Sequence, residues 1–137
     1  MRIVSVDGVL HAPEDAKVSV YDRGFLYGDS VFETVRTYAG KPFALREHLE
    51  RLVRSAERVA IPMPIGTDAL TAEIEATVRA SGNVESIARI MLTRGAGPLG
   101  LDPNLAGEPL RVILVEPLAP PPKDFYADGI GVITVRT

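Results

Sequence analysis

Apolar and polar positions along the chain alternate with a period of two in several short stretches and follow a helical period in two longer ones. Ile3, Val4 and Val6, then Asp7-Gly8, then Val9 and Leu10 read as two strands joined at an Asp-Gly turn. Residues 17–21 alternate like a third strand. A β-branched and aromatic run over 31–38 leads into Ala39-Gly40-Lys41-Pro42, where the chain should turn, and Phe43-Ala44-Leu45 would pair back as a second hairpin.

Leu45, Leu49, Leu52, Val53, Ala56 and Val59 fall at helical spacing, which predicts an amphipathic helix over 45–60 that Pro62 and Pro64 stop. Thr67 or Asp68 can cap a second helix running to about Ser81, with Gly82-Asn83 ending it. Residues 86–93 and 110–115 read as further strands, separated by the glycine-rich loop 94–100. Residues 117–122, PLAPPP, are stiff and extended and read as a linker; residues 130–135 again have strand character. The expected architecture is a two-layer α+β fold with a mostly antiparallel sheet and two main helices. It should occupy residues 1–116, with a linker over 117–129 and the first strand of a second domain over 130–137. A lone strand after a linker has no partner of its own, so more chain is expected beyond it.

A chain of 137 residues, 46% apolar, can bury one modest core and not two. The net charge of -3 comes from acidic and basic residues spread along the chain, which disfavours a nucleic-acid surface. The absence of cysteine excludes a disulfide framework and a thiolate metal site, and makes the cytoplasm the default location. No apolar run approaches the ~18 residues of a membrane helix, and no signal-peptide core follows Met1.

Candidate chemistry is sparse. Residues 21–33 pack glycines, charges and aromatics into a short connection, which suits either a tight turn with aromatics packed beneath it or a site rim. In that second reading Tyr27 offers a hydroxyl and Phe32 an apolar wall. Arg51 lies about 160° from the apolar stripe of its helix, on the polar side with His48 and Ser55. It can form an i,i+4 pair with Glu47 on a solvated face, or grip an anion by its planar fork if another domain covers that face. Arg36 and Arg89 lie within strand patterns, where either could bind a carboxylate. Loop 94–100 lacks the lysine and spacing of a P-loop and reads as a hairpin connection. His11 and His48 match no metal-ligand spacing, and no nucleophile elbow occurs.

The string YDRGFLYGDSVFETVR at 21–36, then ALREHLERL at 44–52, Ser55-Ala56, Thr93-Arg94-Gly95 and ITVR at 133–136 resemble the opening of the fold-type IV pyridoxal 5′-phosphate (PLP) enzymes. That family includes branched-chain and D-amino acid aminotransferases, R-selective amine transaminases and aminodeoxychorismate lyase. The resemblance covers nearly the whole chain. It implies that Arg51 binds the cofactor phosphate and that Tyr27, Phe32, Arg36 and Arg89 line the substrate pocket. It implies too that the lysine carrying PLP lies beyond Thr137, since Lys17, Lys41 and Lys123 do not match its position. The implied activity is ping-pong transfer of an amino group from an L-branched-chain or D-amino acid to a 2-oxo acid. The implied assembly is a homodimer, acting without membrane or nucleic acid.

Departures from the better-known members limit what the resemblance implies about the substrate. Ile87 stands where many branched-chain enzymes carry tyrosine, and Leu99 and a residue near Leu101 stand where D-alanine-type enzymes carry arginine and histidine. A lyase of the aminodeoxychorismate type and a non-catalytic binding or dimerisation module are the alternatives.

Overall fold

In the computed structural model, which describes residues 1–136, six strands form one sheet with every neighbouring pair antiparallel. The strands are β1 (Ile3–Val6), β2 (Val9–His11), β3 (Ser30–Tyr38), β4 (Lys41–Pro42), β5 (Ser86–Thr93) and β6 (Leu110–Pro117), in the order β2-β1-β6-β5-β3-β4. The β1–β2 turn has φ of 48° at Asp7 and 89° at Gly8, the double positive φ for which an Asp-Gly pair is suited.

Four helices accompany the sheet: α1 (Arg23–Tyr27), α2 (Leu45–Arg58), α3 (Thr67–Ser81) and α4 (Lys123–Ala127). Strand alternation and helix periodicity meet in one core. Val35 of β3, Ala88 and Ile90 of β5, and Ile113 and Val115 of β6 point to one side of the sheet. There Leu49 and Leu52 of α2 and Leu70 and Ile74 of α3 cover them. Each large apolar side chain buried there contributes roughly 1.5–3 kcal/mol. The opposite side carries Phe32, Thr34, Arg36, Ile87 and Arg89, all exposed. Two layers, a mostly antiparallel sheet and two main helices are therefore present as the periodicity predicts.

Several local expectations do not hold. Residues 17–21 form no strand; instead the chain crosses the outer side of the sheet, where Pro13, Ala16 and Val18 border a cleft of about 260 Å³ over Val4, Val112 and Leu114. All five of residues 17–21 are exposed, so their alternation marks neither a strand nor a buried side. Phe43-Ala44-Leu45 does not return as a strand either: only Lys41 and Pro42 pair with β3, Ala44 turns at φ 50°, and Leu45 starts α2. Gly66, not Thr67 or Asp68, stands at the N-cap of α3, and no side chain caps it. Gly82, at φ 64°, ends α3 as expected.

After Pro117 the chain contains α4, which begins directly behind the prolines and was not legible as a helix. Residues 130–136 are exposed and pair with nothing among the described residues, so the strand expected there is not formed; a strand needs a neighbour for its backbone N–H and C=O groups. Thr137 lies outside the described residues.

Candidate functional site

β3 organises the site because its odd and even residues serve opposite sides of the sheet. Glu33 shares the core side with Val35 and Thr37 and is only 6% exposed. A buried carboxylate must be paired, and Glu33 is: Arg51 donates from Nε to Oε1 and from Nη2 to Oε2, each at 2.5 Å, and His48 Nδ1 lies 2.8 Å from Oε2. The Arg51 guanidinium beside it holds the Glu33 carboxyl below the usual carboxylate range. Burial opposes this and His48 assists. The same contact raises the Arg51 pKa.

Arg51 is thus not solvated freely, nor paired with Glu47 as helical spacing suggested; Glu47 meets Arg46 at 3.6 Å instead. Two parallel N–H···O bonds from a planar fork outweigh one exposed i,i+4 contact. Glu33 uses one side of the guanidinium. Among the described residues the Nη1 hydrogens have no acceptor, and 59% of the side chain is exposed. Those donors suit a phosphate or carboxylate arriving from outside.

On the other side of the sheet, the Arg89 guanidinium lies over the Phe32 ring, 3.8 Å from Cζ to the ring centroid. Thr34 is the register partner of Arg89, so Phe32 reaches it diagonally. Arg36, two residues further on the same side, lies 4.0 Å over the Tyr38 ring, with Nε 3.4 Å from the carbonyl of Thr37. Among the described residues neither Arg36 nor Arg89 has a carboxylate partner. Two guanidiniums held flat by rings and in no salt bridge among the described residues make an electropositive surface for an acidic ligand, with Glu85 close enough to feel the Arg36 charge.

Tyr27 is placed differently. Residues 21–28 hold a short helix: Asp22 caps α1 by accepting from Gly24 N at 2.8 Å, and Gly28 ends it at φ 69°. The Tyr27 hydroxyl then accepts from Gly100 N at 3.2 Å, and Arg23 lies 4.9 Å over the ring. Arg23, buried, donates to the carbonyls of Gly100 (2.9 Å) and Leu101 (3.3 Å). Arg94 donates to Asp29 at 2.6 and 3.0 Å and to the carbonyls of Val59 and Ala60. Asp29 is consequently held below its usual pKa, by Arg94 foremost, with burial opposing and Arg23 adding to it.

Loop 94–109 is therefore the connection of a long β5–β6 hairpin, as read, with its glycines serving close packing; a Cβ on Gly95 would come 1.9 Å from the Glu108 carbonyl. Of the five singled-out residues, Phe32, Arg36 and Arg89 share one side of the sheet. Arg51 stands across β3 from them, and Tyr27 is tied to loop 94–109. Sequence reasoning overlooked Glu33, Asp29, Arg23 and Arg94. For Glu33 the signal was available, since its parity on β3 matches Val35 and a core-facing carboxylate demands a partner. Among the described residues no group of three His, Cys, Asp or Glu could hold a metal ion, and no helix is long and apolar enough to cross a membrane.

Comparison with known proteins adds an independent line. A family model described as amino-transferase class IV matches residues 30–137. A putative branched-chain-amino-acid aminotransferase of Methanocaldococcus jannaschii is 39% identical over 132 residues, 96% of this chain and 45% of the relative. A D-alanine aminotransferase of Staphylococcus epidermidis is 37% identical over 98 residues, 72% of this chain and 35% of the relative. Among solved structures, 4-amino-4-deoxychorismate lyase from Pseudomonas aeruginosa superposes with a TM-score of 0.76 at 37% identity, over 93% of this chain and 44% of that one. A T.th. branched-chain amino acid aminotransferase with pyridoxamine 5′-phosphate gives 0.78 at 29% identity, over 85% and 40%. The chain spans about half the length of the curated relatives it matches, or less.

Proposed function

The chain belongs to the amino-transferase class IV family, and from that premise we propose that it is the N-terminal part of a PLP-dependent enzyme moving an amino group between an amino acid and a 2-oxo acid. The observation that carries this reading is Arg51: its guanidinium is fixed on one side by Glu33 while the Nη1 hydrogens stay exposed and unpaired among the described residues. That donor set fits the phosphate of the cofactor. When bound, PLP supplies a carbonyl that takes up the amino group and a ring that draws electron density from the reacting carbon.

This chain's residues anchor and orient. Arg51 holds the phosphate, Arg89 and Arg36 attract the substrate carboxylate, Phe32 gives an apolar wall, and Tyr27 presents its hydroxyl beside Gly100. Residues 1–116 form the small domain, 117–129 the linker, and 130–137 the start of the larger domain, which would carry the lysine beyond Thr137. We place the enzyme in the cytoplasm as a homodimer, a reading that the family resemblance supports.

The branched-chain and D-alanine relatives favour an aminotransferase acting on one of those substrate types. The lyase neighbour, similar over 93% of this chain, supports a second reading, cleavage of a chorismate-derived amine. The test uses the full-length polypeptide carrying this chain, incubated with PLP and a panel of L- and D-amino acids with a 2-oxo acid acceptor. PLP-dependent formation of the new amino acid is expected. Pyruvate release from aminodeoxychorismate without amino transfer would favour the lyase, and neither product with PLP bound would overturn both.

A further inference from the structure

We propose that Glu33 is a positioning residue for phosphate binding, acting through Arg51; the inference rests on the reading that Arg51 takes the cofactor phosphate. Arg51 projects from α2 with a largely exposed side chain, and such a side chain left alone samples many rotamers. Glu33 removes that freedom. Its carboxylate is buried on a central length of β3 and accepts from Nε and Nη2 together, so the guanidinium plane is set by the sheet rather than by the helix alone.

The geometry also divides the donors. With Nε and one Nη2 hydrogen committed to Glu33, the Nη1 hydrogens point away from the carboxylate toward open solvent. His48 stands on the other flank, with Nδ1 2.8 Å from Glu33 Oε2 and 3.1 Å from Arg51 Nη2. When His48 donates Nδ1–H to Glu33, the second Nη2 hydrogen of Arg51 is free as well, and the outward side of the fork can meet two phosphate oxygens.

Glu33 exerts two opposing effects on an incoming phosphate. It repels the anion, and it orders the cation. Water reaches the outward side of Arg51 and screens the repulsion, whereas ordering a long side chain is a cost every binding event would otherwise carry. Ordering therefore dominates, and removing the carboxylate weakens phosphate affinity.

The experiment uses the full-length apoprotein and measures equilibrium affinity for PLP and for pyridoxal, which lacks the phosphate. Arg51→Ala tests the underlying reading; Glu33→Gln and Glu33→Asp test the inference. Gln keeps the shape and loses the charge, while Asp keeps the charge and is one methylene too short to span both donors. Both Glu33 variants are expected to bind PLP about ten-fold more weakly, the effect of losing an ordered bidentate contact, with pyridoxal affinity unchanged. If Arg51→Ala leaves PLP affinity unaltered, the phosphate reading itself fails. If Arg51→Ala weakens PLP but Glu33→Gln tightens it or leaves it unchanged, the positioning role is wrong. Equal losses for PLP and pyridoxal in the Glu33 variants overturn it too, because a general loss of structure does not distinguish the two ligands.

Discussion

Phe32 and Glu33 are consecutive on β3 yet serve opposite sides of the sheet: the Phe32 ring supports Arg89 at 3.8 Å, and the Glu33 carboxylate binds Arg51 through two 2.5 Å contacts. One strand thus sets both candidate anion sites through the pleat alone. A one-residue slip in the β3–β5 register would exchange them.

The Phe32–Arg89 stack should matter for substrate and not for cofactor. Replacing Phe32 with Ala removes the face on which the guanidinium rests, a contact of about 0.5–1 kcal/mol at an exposed site. In the full-length enzyme the variant is expected to raise KM for the acidic substrate roughly two- to five-fold, with PLP affinity unaltered. Steady-state kinetics beside a PLP titration checks this. A changed PLP affinity with constant KM would place Phe32 on the wrong side of the reaction.

Leu52 is 1% exposed and packs from α2 into the core between the two layers. Leu52→Ala leaves a cavity there and should cost about 2–5 kcal/mol of stability. Chemical denaturation of the full-length variant gives the value directly. A loss below about 1 kcal/mol would mean that α2 repacks freely against the sheet.

Gly95 stands at φ 93°, where an added Cβ would lie 1.9 Å from the Glu108 carbonyl. Neither the backbone conformation nor the space admits a side chain. Gly95→Ala should therefore destabilise by at least about 2 kcal/mol and loosen loop 94–109, seen as faster proteolysis within that loop. Wild-type stability together with wild-type cleavage would show that the Glu108 backbone moves aside easily.

The long segments of the fold were legible for different reasons: β5, α2 and α3 follow their apolar spacing and β6 contains a continuous apolar run, whereas β3, whose buried residues are Glu33, Val35 and Thr37, was legible from its β-branched and aromatic composition. Short elements set by single hydrogen bonds left no such mark. α1 has five residues and depends on the Asp22 cap, and α4 depends on its position behind Pro122. Residues 17–21 showed the reverse error: they alternate like a strand, yet all five are exposed and none pairs with the sheet. In the site, spacing placed Arg51 on a polar helix face, and only family resemblance gave it a ligand. Its partner Glu33 lies 18 residues away on another element, a distance that no local pattern spans.

Acid stability provides the remaining prediction. The folded pKa values of Glu33 and Asp29 are both lowered, the first chiefly by Arg51 and the second chiefly by Arg94. A carboxylate whose folded pKa lies below its unfolded one binds fewer protons in the native state. Its stabilisation is therefore complete above the unfolded value and disappears as pH falls through the folded one. The melting temperature of the full-length protein should be insensitive to these groups above about pH 5 and decline below it. Asp29→Asn removes the Asp29 contribution, so the variant should melt lower than wild type near neutral pH and lose less on acidification. Arg94 would keep its bonds to the carbonyls of Val59 and Ala60 and lose its ion pair. Two melting curves measured across roughly pH 3–7 decide the matter: parallel declines would mean that Asp29 titrates alike in folded and unfolded chains, and that its pairing with Arg94 adds nothing to acid stability.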